Sequence, residues 1–363
     1  MKAAELFVRC LVIVGVEYIF GIPGEENLDV MDALLDSKIR FITTRHEQGA
    51  AFMADVYGRL THRAGVCMAT LGPGATNLIT GVADANMDHA PLVAIAGQAD
   101  TLRLHKESHQ VLDLEQLFRS FTKYSSRIIA PDIISEVIRK AFKVAQTEKA
   151  GACFIELPEN IAKMEVDDKP LRVKHAHMPE PPADRVTYAA EVISNAKEPI
   201  ILAGNGVIRA EAWEELAAFA EKLNIPITNT FMAKGVIPFR HPMALGSAGL
   251  QSQDYINLGF EHADTIICVG YDLVEYHPHL WHPTQDRTIV HIDSTPAEVD
   301  AHYPVCVGVV GDIKHSLNRI AAACTPHEGN KLRPLREALI REMNQHRDDA
   351  ACPVKPQKII WDL

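Results

Sequence analysis

The sequence has 363 residues, 47% hydrophobic and 23% charged, which is apolar material for two to three globular domains of ordinary size. Its 47 acidic against 36 basic residues leave a net charge of -11, and no run of Lys and Arg interrupts that excess, which argues against a nucleic-acid surface. No apolar stretch approaches membrane-spanning length. Seven cysteines (Cys10, Cys67, Cys153, Cys268, Cys306, Cys324 and Cys352) without a C-x-x-C pair read mostly as small core hydrophobes in a reducing cytoplasm.

In chain order, the apolar spacing predicts a buried helix over 3–14 that Gly15 can cap, then a strand over 17–20. The strand breaks into Gly21-Ile22-Pro23-Gly24, a turn whose glycines let backbone approach a flat ring closely. A second strand over 39–42 passes at once into a helix lined by Ala50, Met53, Ala54 and Tyr57, so Glu47 falls in its first turn. Two readings of Glu47 are open. Thr44-x-x-Glu47 is the pattern of a capping box, in which the Glu side chain satisfies a backbone amide. The position just beyond a strand's carboxyl end is also where open α/β sheets bind ligands.

A strand over 64–70 leads into Leu71-Gly72-Pro73-Gly74 and a helix containing Asn77, a turn that exposes backbone N–H groups but is followed by no Gly-Lys-Ser/Thr. A buried strand over 91–97 follows. Residues 101–121, with Lys106, His109 and Gln110, are polar and read as a solvated loop. A helix over 132–147 and a strand over 152–157 complete a first domain, 1–165.

Residues 166–187, charged and carrying Pro179, Pro181 and Pro182, read as a linker. A second α/β domain, 188–330, opens with a strand over 199–203, the turn Gly204-Asn205-Gly206, a helix over 211–223 and a strand over 225–228. The dinucleotide fingerprint fails here. Arg209 stands at the third glycine, and Asn229 and Thr230 stand where an acid would end the next strand. A strand over 265–270 precedes a loop with His277, His279 and His282. Their spacing fits no zinc pattern, no carboxylate or Cys partner is apparent, and no metal is expected to be held by this chain. Strands over 288–293 and 308–312 close the domain. Residues 331–363 turn helical and charged, with a helix over 335–347. The expected fold class is α/β, with two doubly wound parallel sheets.

Three strand ends thus carry small-residue turns, with Arg45-His46-Glu47-Gln48-Gly49-Ala50-Ala51 between the first and the last. In that combination the chain resembles thiamine diphosphate enzymes, in particular the acetolactate synthase large subunit. The resemblance implies a pyrimidine-binding domain over 1–165 and a half-Rossmann central domain over 188–330. It implies thiamine diphosphate as cofactor, held by Pro23, Gly24, Glu47, Gly72, Pro73, Gly74, Asn77 and Gln110. Glu47 and Gln110 would be catalytic, with His109 and Lys106 near the substrate. Glu47 would hydrogen-bond the pyrimidine N1′ and favour the imino tautomer that takes the C2 proton.

Magnesium ligands would lie in a third, diphosphate-binding domain, because no Gly-Asp-Gly with a downstream Asn occurs here. The chain is therefore expected to be a fragment, inactive alone, with 331–363 as a connector. FAD, bound by some members, is disfavoured, since Tyr271-Asp272, Glu275-Tyr276 and Trp281 are similar to the flavin-independent, catabolic type. The implied reaction decarboxylates pyruvate and joins it to a second 2-keto acid, in a homodimer or homotetramer. A regulatory small subunit is left open. The alternatives are another thiamine diphosphate-dependent decarboxylase or pyruvate oxidase, and a noncatalytic binding protein retaining two domains.

Overall fold

The computed structural model describes residues 1–172, 177–249, 255–329 and 332–362, which form two compact units, Met1–Ala176 and His177–Leu363. In the first unit the strands are β1 (Tyr18–Gly21), β2 (Arg40–Thr43), β3 (Gly65–Ala69), β4 (Leu92–Gln98), β5 (Tyr124–Arg127) and β6 (Ala152–Pro158). They make one sheet in the order β2-β1-β3-β4-β6-β5, with every pairing parallel.

Parallel strands need crossovers, and the crossovers here are helices on both faces. The alternation of side chains along each strand assigns those faces. In β4, Val93 and Ile95 join a core with Leu6, Phe7 and Phe142 from the Ala3–Ile13 and Ile134–Gln146 helices. Leu92, Ala94 and Ala96 join the opposite core with Ala50, Ala51 and Ala54 of the Glu47–Thr61 helix. That second face is rich in alanine, so the Glu47 helix packs close to the sheet. Arg59 fastens it sideways, with ion pairs to Asp55 at 2.9 Å, Asp84 at 3.1 Å and Asp88 at 2.9 Å on the helix itself and around the neighbouring Ile79–Met87 helix.

The second unit repeats the plan. Strands β7 (Pro199–Ala203), β8 (Ile227–Asn229), β9 (Ala244–Ser247), β10 (Thr265–Val269), β11 (Thr288–Asp293) and β12 (Val305–Val310) form a parallel sheet in the order β12-β11-β10-β7-β8-β9. Ile201, Ile267 and Val290 face one core, and Ile200, Ile266 and Ile289 the other. In the first sheet the winding reverses between β1 and β3, and the last strand, β6, inserts between β4 and β5; in the second sheet it reverses between β7 and β10. The carboxyl-end crevice at such a reversal is where doubly wound folds take ligands.

Several expectations need correction. Strands β5 and β9 were not predicted, the first because Tyr124-Ser125-Ser126-Arg127 is half-buried and carries no apolar alternation. The loop predicted over 101–121 holds a helix, Leu114–Arg119, with Leu114 and Phe118 buried. The expected turn Gly204-Asn205-Gly206 opens a short helix, Asn205–Arg209. The helix Ala183–Asn195 begins inside the expected linker, of which residues 173–176 lie outside the described residues. The helix expected over 335–347 spans Arg333–Asn344, and a further helix, Pro356–Asp362, follows it. Among the described residues no helix is long and apolar enough to cross a membrane.

Candidate active site

At the first reversal, β1 and β2 end side by side with Gly21 opposite Thr43. The chain leaves β2 and enters the Glu47–Thr61 helix through an extended N-cap, which is His46. Its imidazole Nδ1 accepts the Gln48 amide at 3.1 Å. The capping box that the Thr44-x-x-Glu47 pattern allows is not formed. The Thr44 amide donates to Gly21 O at 3.0 Å, extending the β1–β2 ladder, and the Thr44 hydroxyl donates to His46 O. Because His46 satisfies the helix end, the Glu47 carboxylate is released to point elsewhere. It is half-buried, and its Oε2 accepts from Asn77 Nδ2 at 3.0 Å.

Asn77 closes the Pro73–Asn77 helix that follows β3. The turn before it depends on glycine twice. Gly72 holds φ at +54°, a left-handed conformation costly for other residues, and a Cβ there would lie 2.6 Å from Gln110 O. A Cβ on Gly74 would lie 2.9 Å from Thr70 Cγ2 and 3.6 Å from Glu47 Oε1. The bare backbone at Gly74 thus borders the carboxylate. This is a cradle that a side chain would fill, and a flat heteroaromatic ring with a hydrogen-bonding edge suits it. Pro23 and Pro73 stand exposed on their turns, and Gly24 packs on Thr70.

Two residues of this edge were missed by the sequence reading. Glu26 Oε2 accepts from Thr70 Oγ1 at 2.6 Å, tying the turn after β1 to the end of β3. The faint signal was Thr70 standing directly before Leu71-Gly72, with Glu26 two residues past Gly24. The 101–113 segment reaches the same edge at one point. Gln110, with φ at +56°, lies with its backbone and Cβ against Gly72. The side chains of Gln110, His109 and Lys106 are exposed, and no hydrogen bond joins any of them to Glu47 among the described residues.

At the second reversal the arrangement is different. The Asn205 amide donates to both oxygens of Glu275 at 3.0 Å, and the Thr230 hydroxyl donates to Oε2. The Asp272 amide adds a third donor at 3.3 Å. The carboxylate is enclosed there, and burial pushes its carboxyl up to about 7, against the pull of Thr230, Asn205 and Arg209. The Gly206 amide donates to Gly270 O at 2.8 Å and draws the ends of β7 and β10 together.

Farther along the same loop, His277 Nδ1 and His279 Nδ1 are 2.7 Å apart. Asp300, a carboxylate neighbour that the sequence reading lacked, is 3.5 Å from His277 Nε2. No group of three or more His, Cys, Asp and Glu among the described residues can hold a metal ion. A cavity of about 860 Å³ lies wholly in the second unit, lined by Tyr255, Leu258, Leu339, Met343, Ile360 and Trp361 among others. The Glu47 crevice is a surface edge of the first unit.

Comparison with known proteins gives the family. Residues 1–117 match the thiamine pyrophosphate enzyme N-terminal TPP binding domain, and residues 186–320 match the thiamine pyrophosphate enzyme central domain. A probable acetolactate synthase large subunit of Methanocaldococcus jannaschii is 36% identical, aligning 100% of this chain with 63% of its own length. An acetolactate synthase of Bacillus subtilis is 38% identical over 88% of this chain and 56% of its own, and a catabolic acetolactate synthase of Raoultella terrigena is 37% identical over 88% and 57%. The chain therefore spans somewhat over half the length of these relatives. The N-terminal match contains the Glu47 crevice and the central match contains the Glu275 crevice, and the chain belongs to the thiamine pyrophosphate enzymes, of which it carries the N-terminal and central domains.

Proposed function

We propose that this chain is the pyrimidine-binding and central part of an acetolactate synthase large subunit. In this reading it acts on pyruvate and a second 2-keto acid with thiamine diphosphate. The observation that carries the reading is the direction of Glu47, turned from its own helix end toward Asn77 and the glycine turn after β3. Glu47 would hold a proton at the ring nitrogen of the pyrimidine, Asn77 would fix the carboxylate's orientation, and Gly72, Pro73 and Gly74 would let the ring lie on bare backbone beside Pro23 and Gly24. Gln110 and, farther out, His109 and Lys106 would face the substrate from the 101–113 segment. Bound thiamine diphosphate supplies the electron sink that lets a 2-keto acid lose CO₂.

The crevice is an open edge, which suits a site completed by a diphosphate-binding domain that brings Mg²⁺, facing it across a homodimer or homotetramer in the cytoplasm. The Glu47–Thr61 helix leaves Phe52, Met53, Val56 and Leu60 at 36, 41, 50 and 77% exposure, an apolar face suited to a second copy of the chain. A protein that sediments only as a monomer at assay concentration removes that part of the reading.

The central domain reads as flavin-free. Glu275 occupies the backbone donors that a dinucleotide phosphate would need at the β7–β10 reversal, and the Gly206–Gly270 bond narrows the crevice. A flavin band in the visible spectrum of the purified protein would refute it.

The test of the main reading is an acetolactate assay of the protein that carries this chain, with pyruvate, thiamine diphosphate and Mg²⁺, comparing it with Glu47→Gln. Loss of about 10²- to 10⁴-fold in kcat is expected of a group that handles a proton. Turnover near the unsubstituted level sinks the assignment.

A further inference from the structure

The buried polar cluster at the carboxyl ends of β4, β5 and β6 is used by nothing described so far. Glu156 on β6 and Gln98 on β4 are both fully buried. Register places Arg127 of β5 beside Glu156 on one side and Ala96 of β4 on the other. A single oxygen of Glu156, Oε1, accepts from Gln98 Nε2 at 2.6 Å and from Arg127 Nε at 3.0 Å. Its other oxygen, Oε2, is buried with no hydrogen-bond partner. Burial pushes this carboxyl above its ordinary range, opposed first by Arg127 and then by Gln98. An ionisable group in such a place is an expensive way to fill a strand end, where a leucine would pack without that penalty.

The two partners of Glu156 reach the same segment from opposite ends. Gln98 accepts the Ala99 amide at 2.9 Å with Oε1 and donates to Leu112 O at 3.0 Å with Nε2. Both hydrogens of its amide are then committed, one to Glu156 and one to Leu112, so the carboxylate fixes which way the amide faces. Arg127 Nη2 donates to Asp113 Oδ1 at 3.2 Å, and Asp113 caps the Leu114–Arg119 helix by accepting the Gln116 amide. Residues 99 and 112–113, the two feet of the segment, are thus both referred to one buried carboxylate. Two residues before the return foot, Gln110 rests on Gly72, the turn that borders Glu47. A separate anchor, Thr101 with Asn160 at 3.1 and 2.8 Å, holds the outgoing limb, and Arg103 Nε, donating to Ser108 Oγ at 2.9 Å, ties that limb to the start of the return, leaving 112–113 to Gln98 and Arg127.

We propose that Glu156 is a positioning residue. Through Gln98 and Arg127 it clamps both feet of the 99–113 segment and so sets where Gln110 and His109 stand beside the Glu47 crevice. The clamp is a statement about the first unit's own geometry, while its consequence for turnover rests on the proposed function of that crevice.

Hydrogen exchange followed by mass spectrometry on the complete protein separates the two. In Glu156→Leu, which keeps the volume and removes the acceptor, peptides covering 99–113 should exchange about tenfold faster or more, the worth of one hydrogen bond to a charged group, while β4 and β6 peptides keep their protection. Glu156→Gln, which retains an acceptor oxygen, should restore most of the slow exchange. Gln98→Leu, cutting one arm, should loosen the return limb in the same way and serves as the variant of record should Glu156→Leu not fold. In the acetolactate assay kcat should fall by about 10²-fold in Glu156→Leu, the scale of a displaced catalytic group, and Glu156→Gln should recover most of that loss. Unchanged loop exchange in the folded leucine variants overturns the clamp. So does acceleration spread evenly through β4 and β6, the mark of a merely structural role. Faster loop exchange in a protein with no acetolactate activity would leave the clamp standing and overturn the proposed function.

Discussion

The two winding reversals of this chain share a topology and differ in what fills them. Between β1 and β3 the acidic side chain Glu47 is half-buried and has one hydrogen-bond donor, Asn77, among the described residues, with bare glycine backbone beside it. Between β7 and β10 the acidic side chain Glu275 takes the Asn205 and Asp272 amides and the Thr230 hydroxyl, and the strand ends are bonded together through Gly206 and Gly270. One crevice keeps its polar group directed at its edge. The other consumes its donors internally. A doubly wound sheet therefore offers a crevice at such a reversal, and the residues around it decide how many of its hydrogen-bonding groups are left facing the edge.

The largest way to break this contrast is to fill the first crevice. Gly74→Val would set a side chain against Thr70 and the Glu47 carboxylate. It should cost about 1–3 kcal/mol in stability by overpacking and about 10²-fold in kcat/KM through displacement of Glu47. A urea titration and the acetolactate assay read the two effects, and full activity in Gly74→Val would mean that the glycine surface is not used.

Next in size is the enclosed carboxylate. The Glu275 carboxyl titrates near 7 when folded, above its ordinary 4.5, because burial outweighs its donors. A raised carboxyl contributes stability that is complete below the unfolded pKa and is lost as pH rises through about 7. Unfolding free energy from urea titrations should therefore fall by about 2–3 kcal/mol between pH 4.5 and 7.5 on this group's account, and Glu275→Gln should flatten that slope. An identical slope in both proteins would place the proton elsewhere. The smallest effect is expected at Asn77→Ala, which leaves the Glu47 carboxylate without its donor. Activity should drop about tenfold, the worth of one hydrogen bond to a charged group. Because Asn77 is half-buried, stability should move by no more than about 0.5 kcal/mol.

The local grammar of the chain was legible before any coordinates. Strands such as β4, β7 and β10 are nearly continuous apolar runs, as strands buried on both faces must be, β6 is such a run broken by Glu156, and the turns at Gly21, Gly72 and Gly204 punctuate them. Strand β5 could not be read that way, since its burial comes from lying beside β6 and not from its own residues. The helix Leu114–Arg119 was hidden for a related reason. Two buried residues, Leu114 and Phe118, in a polar surround are too few to set a period, and the helix exists because Phe118 stacks on Phe154 of β6 at 3.9 Å.

By itself, the sequence determined that the chain is two parallel α/β units, that Glu47 begins a helix at a strand's carboxyl end, and that glycine turns flank it. These follow from hydrophobic period and from backbone conformations that few residues adopt. The tertiary structure alone decided where each carboxylate points. Whether Thr44 or His46 caps the helix depends on Gly21 already holding the Thr44 amide. Where Glu275 points depends on Asn205 and Thr230, 70 and 45 residues away. Hydrogen bonds between distant segments leave no periodic trace, because each is fixed by a direction and a distance that exist once the sheets have closed.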